Sequence, residues 1–226
     1  MLYPDERIEY VYWSRKVSVR LMACKDRYDY FRRFLYHKVN QGYTIKQIFA
    51  SMEVDTLLTK LPMQLEAEEK LTSSNVERIK QFLLENWSDV LKIYQKEQDA
   101  AKEYYGEILK ECKKAVAVDI GWAGSGAIAL RRLVKEVWNL PCEITGILAG
   151  TNTIHNAEPD YSETFLQNGT LVSYLYSMAH NRDLMKKHNP NREYNVFWEL
   201  LLSSTQPQFV GFGWEDESGK FVEFRF

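Results

Sequence analysis

The first half of the chain repeats its apolar residues at helical intervals. Phe31, Phe34, Leu35 and Val39 fall on one stripe between Tyr28 and Val39, and Gln41-Gly42 closes that element. Thr44 opens another, carrying Ile45, Ile48 and Phe49. Ser73-Ser74-Asn75 forms an N-cap cluster, and Glu77, three residues after Ser74, predicts a capping box for a helix bearing Val76, Ile79, Phe82 and Leu83. A long helix follows from Trp87 to about Cys112, with Val90, Leu91, Tyr94, Ala101, Tyr105, Ile108 and Leu109 as its stripe and charges of both signs elsewhere. Ahead of all these, Ile8 to Val19 reads as an extended or strand-like lead, because Val17 and Val19 alternate with Ser18 and Arg20.

The period changes at Ala115. Ala115-Val116-Ala117-Val118 is a short β-branched run, followed by Asp119-Ile120-Gly121-Trp122-Ala123-Gly124-Ser125-Gly126. A helical stripe of Ala127, Leu130, Val134 and Val137 comes next, stopped by Asn139 and Pro141, and Ile144 to Ala149 forms a second apolar run. Strand, glycine turn, helix and strand in so short a span predict a βαβ unit over 115–150 with parallel strands. Asn152 to Glu163 is a polar loop, Phe165 to Met178 reads as partly helical and broken at Asn168-Gly169, and the segments around His180 and His188 read as polar loops. The alternating arms Phe209–Trp214 and Phe221–Phe226 predict a closing hairpin. The expected class is therefore α/β, with a mainly helical subdomain over 1–112 and a Rossmann-like parallel-sheet domain over 113–226 that ends in a C-terminal β-hairpin.

Composition narrows this picture. With 226 residues, 45% hydrophobic and 27% charged, the chain is long enough for one large domain or two small ones. A net charge of −2 argues against a general nucleic-acid binder, and the helix after Gly42 offers only Lys46 and Gln47 to base edges. No apolar run approaches the ~18 residues that a membrane span needs, and Met1-Leu2-Tyr3-Pro4-Asp5 starts no signal peptide, so the expected location is cytoplasmic. Cys24, Cys112 and Cys142 are odd in number and widely spaced, which indicates neither a disulfide framework nor a zinc site. The 14% aromatic content fits an aromatic core or rings that stack on sugars. The basic bias of Arg15, Lys16, Arg20, Lys25, Arg27, Arg32 and Arg33 fits a solvated face or a phosphate-facing patch.

The candidate chemistry sits in the glycine turn. Glycines let backbone N–H groups approach a ligand, and the following helix presents unpaired N–H groups and partial positive charge, so an anion such as a phosphate fits there. Ser125 caps the helix or offers a hydroxyl. Asp119, expected at the strand's carboxyl end, would repel a phosphate, so it is read as a partner for sugar hydroxyls, a metal ligand or a turn cap. The spacing matches neither G-x-G-x-x-G nor the phosphate loop that ends in Lys-Ser/Thr, and glycines that merely permit tight packing are the competing reading. Because ligands of open α/β sheets lie outside the strands' carboxyl ends, the candidate ligand-binding set is Asp119, Gly121, Trp122, Gly124, Ser125, Gly126, Thr151 and Asn152, with Thr153 and His155 secondary. A stand-alone enzyme would use Asp119 as base or metal ligand, assisted by Glu199 or His155. A non-catalytic interaction or spacer domain is the third reading.

Tyr12-Trp13-Ser14-Arg15-Lys16, Val118-Asp119-Ile120-Gly121-Trp122-Ala123-Gly124-Ser125 and Glu199 to Pro207 with Gly211-Phe212 together resemble a region of bacterial hydrolases of the haloacid-dehalogenase (HAD) superfamily. In those proteins the region follows the catalytic domain, and the genes lie near, or are fused to, glycosyltransferases of cell-surface polysaccharide synthesis. The resemblance implies an accessory domain in glycan biosynthesis that binds a nucleotide, nucleotide-sugar or sugar phosphate. It also implies a HAD or glycosyltransferase domain of the same longer chain as partner. Mg²⁺ would accompany a phosphorylated ligand. The sequence has no Asp-x-Asp, the nucleophile and general-acid pair of these hydrolases, and glycine stands at Gly121 where the second acid belongs. Hydrolase chemistry would thus lie in the other domain.

Overall fold

The computed structural model describes residues 7–152, 162–189, 194–202, 205–215, 219 and 221–226. They form two compact units, each discontinuous in sequence. One takes residues 15–101 and 211–225; the other takes the residues up to Ser14, then 102–210, and Phe226.

The first unit is helical: α1 (Arg15–Met22), α2 (Arg27–Phe34), α3 (Ile45–Met52), α4 (Val76–Glu85) and the first part of α5 (Trp87–Leu109). The extended lead expected over Ile8–Val19 is corrected here. Residues 7–14 have no regular structure, and Arg15 begins a helix. Every residue from Val17 to Met22 is buried, so no polar face marks the helical period and the alternation of valines misleads. The capping box expected at Ser74 and Glu77 is also corrected. Asn75 is the cap residue of α4, and its side chain ties down the preceding loop by accepting from the Thr72 N–H at 2.9 Å and donating to the Lys70 carbonyl at 2.9 Å. The capping box forms instead at α3, between Thr44 and Gln47.

The core of this unit is aromatic. The edge of Tyr30 meets Trp87 at 5.0 Å, Phe49 stacks on Phe82 at 6.1 Å, and the buried Tyr30 and Tyr94 hydroxyls share a 2.8 Å hydrogen bond that Tyr94 extends to the Met52 carbonyl. The expected hairpin is present as β4 (Gly211–Trp214) antiparallel to β5 (Val222–Arg225), and it packs in the helical unit. Glu97 on α5 anchors it. The Glu97 carboxylate accepts from Arg20 Nε and Nη2, both at 2.8 Å, and from the Phe212 N–H and Arg225 Nη2, both at 3.2 Å. Glu53 bridges the same two arginines at 3.0 Å. Burial works against the charge on Arg20, but hydrogen bonds and charge from Glu97, with Glu53 behind it, outweigh that cost and raise its pKa.

The second unit carries a three-stranded sheet in the order β1-β2-β3, where β1 is Lys114–Trp122, β2 is Glu143–Thr151 and β3 is Leu171–Tyr176. All strands are parallel. Helix α6 (Ser125–Arg132) connects β1 to β2, as the βαβ pattern predicts, and short α7 (Glu163–Gln167) precedes β3. Of the partly helical reading of Phe165–Met178, the helix up to Gln167 and the break at Asn168-Gly169 are present, while Leu171 to Tyr176 beyond the break is a strand. Ala127 and Ile128 of α6 pack with Leu148 and Leu171 on one sheet face. Gly146 lets α6 approach this closely, because a Cβ there would lie 2.7 Å from that of Ala127. The opposite face is open: Val118 is 80% exposed and Tyr174 74%, with Val116 and Val172 also exposed. Two further helices, α8 (Arg182–Lys187) and α9 (Tyr194–Leu202), follow β3.

Candidate functional site

The glycine turn is tighter than its sequence suggests. β1 does not stop at Val118 but pairs with β2 as far as Trp122↔Thr151, leaving only Ala123 and Gly124 between strand and helix. Gly124, at φ +66°, is the cap residue of α6, so Ser125 is the first helical residue rather than its cap. Asp119 lies inside the strand opposite Leu148, which corrects its expected place at the strand's carboxyl end.

Close packing involves each of the three glycines. A side chain on Gly121 would collide with the Gly150 carbonyl oxygen, and a Cβ on Gly124 would lie 2.6 Å from Leu171 Cδ1. At Gly126 a Cβ would meet Trp13 Nε1 at 3.1 Å and Asp119 Oδ2 at 3.2 Å. The Asp119 carboxylate thus faces the start of α6, and together with the Trp13 indole it covers that side of Gly126. Trp13 in turn meets Tyr105 edge-on at 6.3 Å, and Tyr105 stacks on Trp138 at 5.3 Å.

A second group of residues gathers just beyond the strand ends. β1 delivers Trp122, β2 delivers Thr151 with Asn152 following it, and β3 delivers Tyr176. His188, which follows α8, lies among them. Its ring stacks on Trp122 at 4.5 Å and 20°, and lies 5.4 Å from Tyr176 and 6.3 Å from Tyr194. The Trp122 indole N–H donates to Glu199 Oε1 of α9 at 3.2 Å. Asn152 Nδ2 contacts the His188 carbonyl at 2.8 Å and His188 Nδ1 at 3.2 Å.

Those two contacts fix the chemistry of the group. A carbonyl only accepts, so the Asn152 atom facing it is the amide nitrogen, and the same NH₂ donates to His188 Nδ1. The His188 proton therefore sits on Nε2. Burial lowers the pKa of His188 and pushes that of Tyr176 up to about 12, so both side chains are neutral at pH 7. Asn152, Tyr176 and His188 are 7%, 3% and 8% exposed. Yet Asn152 Oδ1, the Tyr176 hydroxyl and His188 Nε2 are buried without a hydrogen-bond partner among the described residues. Unpaired buried polar atoms are costly, at about 1–3 kcal/mol each, and these three belong to neighbouring side chains.

Of the residues expected to bind a ligand, Trp122, Thr151 and Asn152 come together at this edge, whereas Asp119, Gly126 and Ser125 lie at the start of α6. Gly121 and Gly124 are packing positions between the two. Thr153 and His155 lie outside the described residues. Sequence reasoning missed Tyr176 and His188 as site residues. Tyr176 belongs to the site because it ends the third parallel strand, and nothing near His188 in sequence signals its role. Glu199 is exposed on α9 and accepts from the Trp122 indole, so its charge is not buried alone. Among the described residues no group of three or more His, Cys, Asp or Glu is placed to hold a metal ion, and no helix is long and apolar enough to cross a membrane. Comparison with protein-family models, with curated proteins and with solved structures finds no match.

Proposed function

We propose that the sheet-bearing unit is a Rossmann-like accessory domain that binds a small sugar-containing ligand, such as a nucleotide-sugar or sugar phosphate, at the carboxyl edge of its parallel strands. One observation carries this reading. Asn152 Oδ1, Tyr176 Oη and His188 Nε2 are buried and unpartnered at the place where open α/β sheets hold their ligands. The resemblance of Val118–Ser125 to a region of HAD-associated glycan-synthesis proteins supports the same ligand class, and the absence of Asp-x-Asp supports an accessory role. The test is a titration of the full chain, followed by calorimetry and by the NMR signals of Trp122 and His188. The titrants are UDP-glucose, UDP, glucose 6-phosphate and uncharged pyranosides. At least one should bind and shift both residues; silence from all of them refutes the reading.

A second reading, a protein-interaction domain, rests on a different surface. Parallel sheets are almost always covered on both faces, yet Val116, Val118, Val172 and Tyr174 leave one face of this sheet open. On α9, Val196, Phe197, Leu200, Leu201 and Leu202 are exposed as well. Light scattering of the full chain against a Val118→Lys/Tyr174→Lys variant tests it. Loss of self-association in the variant supports this reading, and a monomer in both, with no change in solubility, argues against it.

A further inference from the structure

We infer that the group entering the Asn152–Tyr176–His188 site is an uncharged, hydroxyl-bearing part of the ligand, such as a pyranose ring, and not its phosphate. This rests on the binding reading above and follows from counting donors and acceptors. The Asn152 NH₂ faces the His188 carbonyl and ring, with the Met185 carbonyl at 3.5 Å, and its free Oδ1 only accepts. The proton on His188 Nε2 only donates, and the Tyr176 hydroxyl does both. A hydroxyl complements such a set, because it can donate to Asn152 Oδ1 while accepting from His188 Nε2–H or Tyr176. A phosphate group can use only the two donors, and its oxygens would meet the lone pairs of Asn152 Oδ1.

The surroundings point the same way. Glu199 adds a carboxylate beside Trp122, which disfavours an anion and suits a hydroxyl donor. The rings of Trp122, Tyr176 and Tyr194 pack around His188, so the group lies in aromatic surroundings that suit an uncharged partner better than an anion. Of the glycine turn only Trp122 enters this argument; the backbone N–H groups at the start of α6, the expected anion-binding corner, do not.

The experiment uses the full chain and three probes: a panel of methyl pyranosides, inorganic phosphate and UDP. The imidazole resonances of His188 and the indole N–H of Trp122 are followed by NMR. The pyranosides should shift both, with inorganic phosphate silent. Tyr176→Phe separates binding from folding. It removes a hydroxyl that has no partner within the described residues, so the melting temperature should hold or rise while pyranoside affinity falls at least fivefold. Shifts from phosphate or UDP with none from any pyranoside would overturn this inference and leave the broader binding reading standing. Silence from every probe would sink both. Unchanged pyranoside affinity in Tyr176→Phe would also count against the assignment.

Discussion

Replacing Glu97 by alanine should be among the most damaging single changes in the helical unit. The carboxylate accepts four hydrogen bonds, two from Arg20, one from the Phe212 N–H and one from Arg225. Arg20 is 2% exposed, so truncating Glu97 leaves its guanidinium buried without that carboxylate, although Glu53 stays at 3.0 Å. Breaking a buried ion pair from one side costs about 3–5 kcal/mol. Four net hydrogen bonds at about 1 kcal/mol each lead to a similar figure, because several are charge-assisted while Glu53 retains part of the interaction. The expected loss is therefore about 3–4 kcal/mol. Urea unfolding of the full chain, followed by far-ultraviolet circular dichroism, measures it. A control defines the cause: Arg20→Met/Glu97→Met removes both charges and should recover most of the loss, since the penalty lies in the orphaned cation and not in the missing attraction. A loss below about 1 kcal/mol in Glu97→Ala, the range of an exposed pair, would refute the reasoning. So would a double variant as unstable as the sum of its parts.

Three further outcomes follow from the geometry. Gly146→Ala would set a Cβ 2.7 Å from that of Ala127 and against Leu171, and should lower stability by about 1–3 kcal/mol; an unchanged melting temperature would show that α6 yields freely. Gly106, inside α5 with nothing within 4 Å of an added Cβ, should gain about 0.5–1 kcal/mol on replacement by alanine; thermal melting checks this, and a loss would contradict it. Burial lowers the folded-state pKa of His188. As pH falls below its unfolded value near 6.5, the unfolded chain takes up a proton that the folded chain refuses, so stability drops and then levels off below the folded pKa. His188→Gln should flatten that part of the stability-against-pH profile, and an identical slope in both proteins would show that His188 is not its source.

The βαβ unit was legible because Ala115–Val118 and Ile144–Ala149 are compact apolar runs with a glycine turn and a helical stripe between them. Its third strand was not. In Leu171-Val172-Ser173-Tyr174-Leu175-Tyr176 the exposed positions Val172 and Tyr174 are apolar and the one polar residue, Ser173, is half-buried, so polarity does not mark the strand's two faces. α1 escaped notice because its polar Ser18 and Arg20 are buried together with its apolar residues, so polarity does not follow an exposed face. At the candidate site, the rule that ligands sit at strand carboxyl ends pointed to Trp122, Thr151 and Asn152. The histidine they surround arrives from 36 residues past Asn152, and only the folded chain brings it to the edge. The glycines illustrate a further limit: sequence offered both a phosphate cradle and tight packing, and the contacts around Gly121, Gly124 and Gly126 supply a steric need for each position.

The clamp at Glu97 also sets an order of assembly. Arg225 and the Phe212 amide reach a helix made more than a hundred residues earlier, and the intervening stretch belongs to the other unit. On the ribosome, residues 15–101 therefore emerge with two acids and an arginine still waiting for their last counterpart. The helical unit can collapse early around Tyr30, Phe49 and Trp87, but its charges close only when the final strand has been synthesised.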